Sequence, residues 1–238
     1  AALNATGALI SVIGVYDLTG STLITGGSLG NWQLSGGTIV GGTINGASAG
    51  DALKLTRNFN NLLSGGVVVN ADLDFSDGGE LRILDGLTLN GTATLGGNAN
   101  LFFVRPGEHA DPYSQLLGGS GEVVFDNSSN GSDNSLRIED NVTLTIGADM
   151  TVRGSSVNIF RRNVGGVEDT AKFVNEGTIS VERIANRKFQ LATPQWQNLG
   201  VIDVASEAVF ELGGSFSHSD IAALNATGAL ISVIGVYD

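Results

Sequence analysis

The chain contains no cysteine, only three prolines and a single methionine among its 238 residues. Without cysteine it can form no disulfide and carry out no thiolate chemistry, so its stability has to come from a hydrophobic core. Long hydrophobic runs are also missing. The longest, Ala8–Tyr16, is too short to cross a bilayer as a helix and predicts a buried strand.

Positive charge is scarce as well, with 12 lysines and arginines against 24 acidic residues and a net charge of −12. A surface of that sign repels phosphate backbones and anionic lipids, so we expect neither nucleic acid nor a membrane as a partner. Glycine is abundant, with 35 residues, and a hydrophobic content of 42% excludes wholesale disorder. This composition favours turns and β-strands over helices.

The first seventeen residues return unchanged at the other end of the chain. AALNATGALISVIGVYD occupies both 1–17 and 222–238, a shift of 221 residues. Such a match predicts a tandem array, in which residues 1–221 are one module and residues 222–238 begin the next identical module. An engineered duplication would produce the same sequence and remains the alternative.

A shorter period lies inside the module. The pattern N-x-G-x-I-x-V begins at Asn175 and again at Asn198, 23 residues later. The triplet LRI begins at Leu81 and at Leu136, a distance that fits two coils and an insertion. A period near 23 residues is typical of solenoids, whose coils stack like on like.

Less exact repeats, in which a glycine precedes alternating apolar residues, begin at Gly66, Gly91 and Gly121. They fit the same period if the polar stretch from Arg105 to Gln115, which holds two of the three prolines, is an inserted loop. A second insertion is expected at residues 161–170, and a polar turn at 126–135.

The segments between these glycines alternate apolar and polar residues, as in Val201–Val204, which is the period of a strand. A leucine-rich repeat would need a regular leucine ladder, and a sandwich would need regularly spaced hairpin turns. Neither pattern fits this sequence. We therefore predict an all-β protein, a parallel β-solenoid of roughly nine or ten coils of about 23 residues with inserted loops, forming a rod about 45 Å long.

Several segments share a strand-and-turn sequence pattern with one class of proteins. These are LTLNGTATLGG at 87–97, LLGGSGEVVF at 116–125, TLTIGADMTVRG at 143–154 and FVNEGTISV at 173–181. With them the chain resembles large repetitive bacterial surface proteins, the adhesin-like and autotransporter-passenger-like proteins with a parallel β-helix similar to that of filamentous haemagglutinin. The resemblance implies right-handed winding and an exported stalk at the cell surface or outside the cell, and it implies no reaction and no receptor.

Four carboxylates lie close together in sequence at Asp72, Asp74, Asp77 and Glu80. Hard cations such as Ca²⁺ prefer several carboxylate oxygens, so this cluster is a candidate calcium site. Its spacing does not match the known calcium loops. Because Leu73 and Phe75 alternate with Asp72 and Asp74, a strand with solvated outer carboxylates is the favoured interpretation.

Parallel β-helices also include enzymes that cleave polysaccharides, and the inserted loop contains groups for acid–base chemistry. These are Arg105, Glu108, His109, Asp111 and Tyr113; the only other histidine is His218. The two prolines of the loop favour a structural role. We therefore expect no enzyme, and we assign no catalytic, cofactor-binding or metal-binding residue.

The remaining candidate side chains have structural interpretations. We expect Trp32 and Trp196 to pack in the core or at its rim, although tryptophan can also stack on sugars. The basic residues Arg183, Arg187 and Lys188, like Arg161 and Arg162, are expected in solvated turns rather than at a phosphate site. Asn175 and Asn198, one coil apart, predict a ladder of stacked amides that stabilises the register.

These expectations together favour a structural function, that of a tandem-repeat module in a long extracellular or cell-surface rod or filament. Its expected partners are copies of itself, joined end to end through the terminal coils 1–17 and 222–238, because unpaired strand edges recruit other chains. A host or matrix ligand is the alternative partner, bound as a glycan-binding module would bind it through loops at 105–115 and 161–170. A polysaccharide lyase or hydrolase is the third possibility.

Overall fold

The structure, a computed structural model, describes residues 4–107, 112–126, 134–162 and 170–238. Over these residues the chain is a parallel β-solenoid with 55% strand and 3% helix. It makes about nine turns of roughly 23 residues each, and each turn adds one strand to each of three sheets. The predicted all-β class and the predicted solenoid are confirmed.

Within the described residues, each of the three parallel sheets contains ten strands. The first sheet consists of β1 (Leu9–Val12), β4 (Asn31–Leu34), β7 (Ala52–Leu55), β10 (Asp72–Phe75), β13 (Thr92–Leu95), β16 (Glu122–Phe125), β19 (Thr151–Gly154), β22 (Thr178–Val181), β25 (Val201–Val204) and β28 (Leu224–Asn225). The second sheet consists of β2 (Val15–Asp17), β5 (Thr38–Val40), β8 (Asn61–Ser64), β11 (Gly79–Ile83), β14 (Ala99–Phe103), β17 (Asn134–Glu139), β20 (Val157–Arg162), β23 (Phe189–Ala192), β26 (Val209–Leu212) and β29 (Leu230–Val233). The third sheet consists of β3 (Thr22–Thr25), β6 (Thr43–Gly46), β9 (Val67–Val69), β12 (Leu87–Leu89), β15 (Tyr113–Gly118), β18 (Val142–Ile146), β21 (Lys172–Asn175), β24 (Gln195–Asn198), β27 (Ser215–Phe216) and β30 (Val236–Tyr237).

The two helical segments of the described chain are short. A 3₁₀ turn, Gly27–Leu29, follows β3, and the single-turn helix α1, His218–Ile221, follows β27. The backbone N–H of Ser217 donates to the Asp220 carboxylate at 2.7 Å, which closes the start of α1.

The core runs through the middle of the solenoid because alternate residues of every strand point inward. In β10, Leu73 and Phe75 are fully buried, whereas Asp72 and Asp74 are half-exposed, as the alternation predicts. Leu73 lies between Leu53 of the preceding coil and Ala93 of the following one. Each inward side chain is therefore covered by its equivalents in the neighbouring coils, and its burial contributes roughly 1.5 to 3 kcal/mol only when those coils are present.

The coil length varies in a way that locates the insertions. In the first sheet, paired residues are 20 to 23 positions apart in six of the nine steps and 27 to 30 apart in the other three. The extra residues lie at 104–112, between β14 and β15, at 126–133, between β16 and β17, and at 163–171, between β20 and β21. All three insertions adjoin the second sheet.

The two closest sequence repeats are confirmed as stacked equivalents. Asn175 of β21 pairs in register with Asn198 of β24. Leu81 pairs with Leu101, which pairs with Leu136, so the LRI triplets lie two coils apart on the second sheet. The 55-residue distance between them includes both the insertion at 104–112 and the insertion at 126–133.

Three details of the sequence interpretation are wrong. The loop predicted from Arg105 to Gln115 ends earlier, because β15 begins at Tyr113. Arg161 and Arg162 do not begin the second insertion but end β20. Gly66 precedes a strand of the third sheet, whereas Gly91 and Gly121 precede strands of the first, so only the latter two are equivalent.

Candidate functional site

The outer face of the second sheet carries a column in which arginine and phenylalanine alternate. Arg82, Phe102, Arg137 and Phe160 lie opposite one another on β11, β14, β17 and β20. The Arg137 guanidinium lies 5.6 Å from the centre of the Phe160 ring, within the range of a cation–π contact. These four residues are named the Arg–Phe column.

Glu80 lies on the same face and binds two arginines. Its carboxylate accepts hydrogen bonds from Arg137 Nη1 at 3.2 Å and from Arg162 Nη1 at 2.9 Å. Only 3% of Glu80 is exposed, so the arginines supply the charge compensation that burial requires. Arg162 also lies 5.0 Å above the Phe102 ring, and 42% of its side chain remains exposed. Burial lowers the pKa of Arg137, against the opposing effect of the Glu80 charge.

Two further ion pairs lie where the second sheet meets the third. Arg105 Nε lies 3.7 Å from Glu139 Oε1, and the backbone N–H of Arg105 donates to Glu139 Oε2 at 2.8 Å. Arg161 Nε lies 2.8 Å from Asp140 Oδ1, and the Asp140 side chain is fully buried. The central coils therefore hold three buried carboxylates, each facing at least one arginine.

The three insertions begin and end around this face. Residues 104–112 and 163–171 follow β14 and β20, and residues 126–133 precede β17. The strands β14, β17 and β20 are adjacent in the second sheet. The described part of this face presents partly exposed arginine beside phenylalanine rings, and partly exposed arginine suits an anionic ligand. Of the loops expected at 105–115 and 161–170 to bind a ligand, residues 108–111 and 163–169 lie outside the described residues.

The acid–base residues considered for catalysis are only partly covered by the structure. Glu108, His109 and Asp111 lie outside the described residues, and Arg105 binds Glu139 as described above. The hydroxyl of Tyr113 donates to the Asp85 carboxylate, and this hydrogen bond raises the pKa of Tyr113 to about 12. His218 lies in α1, where its Nδ1 is 2.9 Å from the Tyr237 hydroxyl, several coils from the inserted loop.

The four carboxylates of the candidate calcium site bind different partners. Asp72 and Asp74 each accept a backbone N–H at 2.8 Å, Asp77 pairs with Lys54 at 2.8 Å, and Glu80 binds the two arginines. Within the part of the chain that the structure describes, no three His, Asp or Glu side chains gather closely enough to hold a metal ion.

Two of the basic residues after β22, Arg183 and Lys188, pair with acidic residues of the next coil. Arg183 Nε is 2.7 Å from Glu207, and Lys188 Nζ is 2.8 Å from Glu211. The Arg183–Glu207 pair and the Lys188 side chain are exposed, as expected for solvated turns, and exposed pairs contribute little to stability.

Both tryptophans pack as predicted. Trp196 is buried, stacks on Phe216 with ring centres 4.6 Å apart, and donates its Nε1–H to the Gly213 carbonyl at 2.8 Å. Trp32 is half-buried near the other end of the core and stacks on Tyr16 at 5.7 Å.

The predicted amide ladder is present between Asn175 and Asn198, both buried. Asn175 Nδ2 donates to Asn198 Oδ1 at 2.7 Å. The backbone N–H of Asn198 continues the series to Asp220 Oδ1 at 3.1 Å. The effect of this ladder on register and stability stays a prediction.

A second, exposed ladder escaped the sequence interpretation. Asn90 Nδ2 donates to Asn70 at 2.7 Å, Asn70 Nδ2 donates to Asn45 at 2.8 Å, and the backbone N–H of Ser120 donates to Asn90 at 3.1 Å. An asparagine directly after each of three short apolar segments was the available signal. Its unequal spacing of 25 and 20 residues concealed it.

The two copies of the terminal segment adopt the same local conformation on different sheets. Gly7 and Gly228 have φ values of 74° and 75°. The sequence LISV forms β1 of the first sheet at Leu9–Val12, but the same four residues form β29 of the second sheet at Leu230–Val233. Likewise the following VY pair lies in the second sheet in β2 and in the third sheet in β30.

The inward and outward directions are nevertheless the same in both copies. Val12 pairs with buried Leu34, and its equivalent Val233 pairs with buried Leu212. β1 and β29 each pair with one strand only within the described chain, so the other edge is open. Large exposed apolar residues concentrate in these copies, with matching pairs at Leu9 and Leu230, Ile13 and Ile234, Val15 and Val236, and Tyr16 and Tyr237.

None of the described helices is long and apolar enough to span a membrane. Comparisons of the chain with protein-family models, with curated proteins and with solved structures find no match.

Proposed function

We propose that this chain is a structural module of an extracellular or cell-surface rod, which spaces other domains or assembles end to end into a filament. One observation carries the proposal: three ten-stranded parallel sheets enclose one hydrophobic core along the whole described chain, and both terminal coils present open strand edges. A fold of this kind can be extended by adding coils of the same type.

The duplicated segment supports the same proposal. Residues 224–237 pack on β25, β26 and β27 in register, which supplies a compatible surface for the sequence that also begins the chain. Self-association through the terminal coils would cover the inward-facing apolar residues that both copies expose, among them Tyr16 and Tyr237.

Electron microscopy of the full chain at increasing concentration tests this function. We expect unbranched particles one solenoid wide, whose length grows in steps of about 50 Å, since each coil adds about 4.8 Å. Particles that stay at the length of one chain up to millimolar concentration would contradict end-to-end assembly. A glycan and matrix-protein array provides the second measurement, because a passive rod binds no member of it.

The alternative is a ligand-binding module, which the Arg–Phe column and the partly exposed Arg162 beside it favour. Acidic polysaccharide is the chemistry that suits these arginines. If the array shows binding, Arg162→Ala should weaken it at least about tenfold, whereas Lys54→Ala, on the first sheet, should leave it unchanged. Equal effects of the two variants would argue against this face.

A further inference from the structure

We propose that each copy is rotated about the rod axis relative to the copy before it, so that its first sheet continues the second sheet of that copy. This rotation is called the turn below. The inference rests on the proposed end-to-end assembly and specifies the geometry of the junction. Its partner is a second copy of this chain, and its contact surfaces are β28–β30 of one copy and residues 4–17 of the next.

The turn follows from the number of strands in one 221-residue repeat, which is not a whole number of coils. β29 has the sequence of β1 and is the twenty-eighth strand after it, which is nine full coils and one further strand. The 221-residue repeat therefore does not return to the same sheet. Within the chain, residues of the same type stack in register, as Asn175 does on Asn198. If the duplicated residues of two copies stack in the same way, each added copy is rotated by about a third of a turn.

The duplicated residues of the two copies also match in direction at such a junction. Ile10 and Val12 of the second copy would lie over Ile231 and Val233 of the first, and Tyr16 over Tyr237. All of these side chains follow the inward pattern of the strands with which they already pair. Outward Leu9 would lie over outward Leu230, so both faces of the strand match.

The corner between the two strands supports the stacking of another coil beneath residues 4–17, in whichever rotation. At Gly235, a Cβ would lie 2.2 Å from the Gly214 carbonyl oxygen of the coil beneath, so this corner accepts glycine alone. Gly14 is the same residue in the first copy, and a Cβ there would meet nothing within 4 Å. Within the single chain, a larger residue would therefore fit at position 14. With another coil beneath it, only glycine would fit, as at Gly235.

Stacking is favoured over exchange of the two segments. If residues 1–17 of a second copy displaced residues 222–238, identical contacts would replace identical contacts, and the displaced segment would lose its own. Stacking leaves 222–238 in place and adds a new set of inter-coil hydrogen bonds and buried apolar area. Each copy then advances the rod by ten coils and one strand, about 50 Å, and three copies return to the starting direction after about 150 Å.

The turn has a consequence for the Arg–Phe column and for Glu80 and Arg162 beside it. In an unrotated array, these features would lie along one side of the rod. With the turn, they point in three directions in three successive copies, so the assembled rod presents them all around its circumference.

Cysteine cross-linking tests the turn directly, because the chain has no cysteine of its own. In the proposed junction, Ser11 lies beside Ser232 of the neighbouring copy, at the roughly 4.8 Å spacing of paired strands, which a disulfide can span. In an unrotated junction, Ser11 would lie beside Asn225 instead, since β1 and β28 both belong to the first sheet. Within one chain these positions are at opposite ends of the solenoid.

We expect the full-chain double variant Ser11→Cys/Ser232→Cys to form a ladder of covalent multimers under mild oxidation, and Ser11→Cys/Asn225→Cys to form none. The reverse result, or equal amounts of covalent multimers from both variants, would contradict the proposed turn. If neither variant cross-links while microscopy shows growing rods, the junction is wrong and the proposed function stands. If neither cross-links and no rods grow, both are wrong.

Gly14→Val provides a second test that does not depend on cysteine. Because its side chain has open space in the single chain, we expect an unchanged melting temperature and at least a tenfold loss of assembly. Gly235→Val is the matched control, and its clash with Gly214 should lower the melting temperature of the single chain. Assembly by Gly14→Val at the level of the unmodified protein would overturn the stacked junction.

Discussion

The central and terminal coils of this solenoid reverse the usual relation between the direction of a side chain and its burial. In the centre, Glu80 and Phe102 point outward, yet only 3% and 2% of them are exposed. In the last coil, Val233 and Tyr237 follow the inward pattern, yet 53% and 49% of them are exposed. Alternation along a strand sets direction, whereas burial requires cover from the coils on both sides.

The difference teaches where the stability of a stacked fold lies. An inward residue in a central coil has a neighbour above and below, and an inward residue in a terminal coil has one neighbour. Identical side chains should therefore contribute unequally according to their position along the rod.

The largest expected effect comes from the central core. Phe173 is fully buried between Leu144 and Trp196, so Phe173→Ala should cost about 3–5 kcal/mol of unfolding free energy. The terminal counterpart, Tyr237→Ala, should cost less than about 1 kcal/mol because the ring is half-exposed. Denaturant unfolding of both variants measures this comparison, and equal losses would contradict it.

Removing the charge of Glu80 should have the next largest effect. Glu80→Gln leaves Arg137 and Arg162 without their common carboxylate, which should cost about 1–3 kcal/mol. Asp77→Asn is the matched control, because its pair with Lys54 is exposed and should contribute no more than about 0.5 kcal/mol. Thermal melts at pH 7 give both values, and a neutral Glu80→Gln would show that the network is dispensable.

The two amide ladders differ in burial and should differ in strength. Asn198→Ala removes a buried acceptor of Asn175 Nδ2 and should lower stability by about 1–2 kcal/mol. Asn90→Ala interrupts the exposed ladder, where water replaces the lost partner, and should cost less than about 0.5 kcal/mol. An unchanged melting temperature for Asn198→Ala would count against the ladder as a stabilising element.

The smallest effect concerns pH. Burial by itself would raise the pKa of Asp220, but hydrogen bonds from Ser217 and from the Asn198 backbone outweigh it and lower the pKa below 3.8. The carboxylate therefore stabilises the fold above about pH 4, and this contribution is lost as the pH falls through the lowered value. We expect Asp220→Asn to lower the melting temperature by about 2–4 °C at pH 6 and by progressively less toward pH 2. A difference that grows on acidification would contradict the sign.

The sequence predicted the features that repeat and missed those that depend on which sheet a strand joins. Asn175 and Asn198 share a long pattern and one coil length, so their stacking was readable. Gly66 was misplaced because all three sheets use the same glycine-led alternation, which does not identify a sheet. The change of sheet between Leu9 and Leu230 was hidden for the same reason.

The candidate site was harder to predict because it joins distant positions. Glu80 meets Arg137 and Arg162 across 57 and 82 residues, and insertions of unequal length lie between them. Once the register is known, the outward column follows directly from strand alternation. The partners of a charged residue in a solenoid are therefore set by coil lengths, which sequence patterns resolved only where the repeats were long.

The direction of the inter-coil hydrogen bonds has a mechanical consequence. These bonds run along the axis of the rod, so a pull on its two ends loads the coils in series. A terminal coil, with one neighbour and a half-exposed interior, yields first and releases about 70 Å of extended chain before the next coil bears the load. Under tension a single chain should therefore lengthen in discrete steps, one coil at a time.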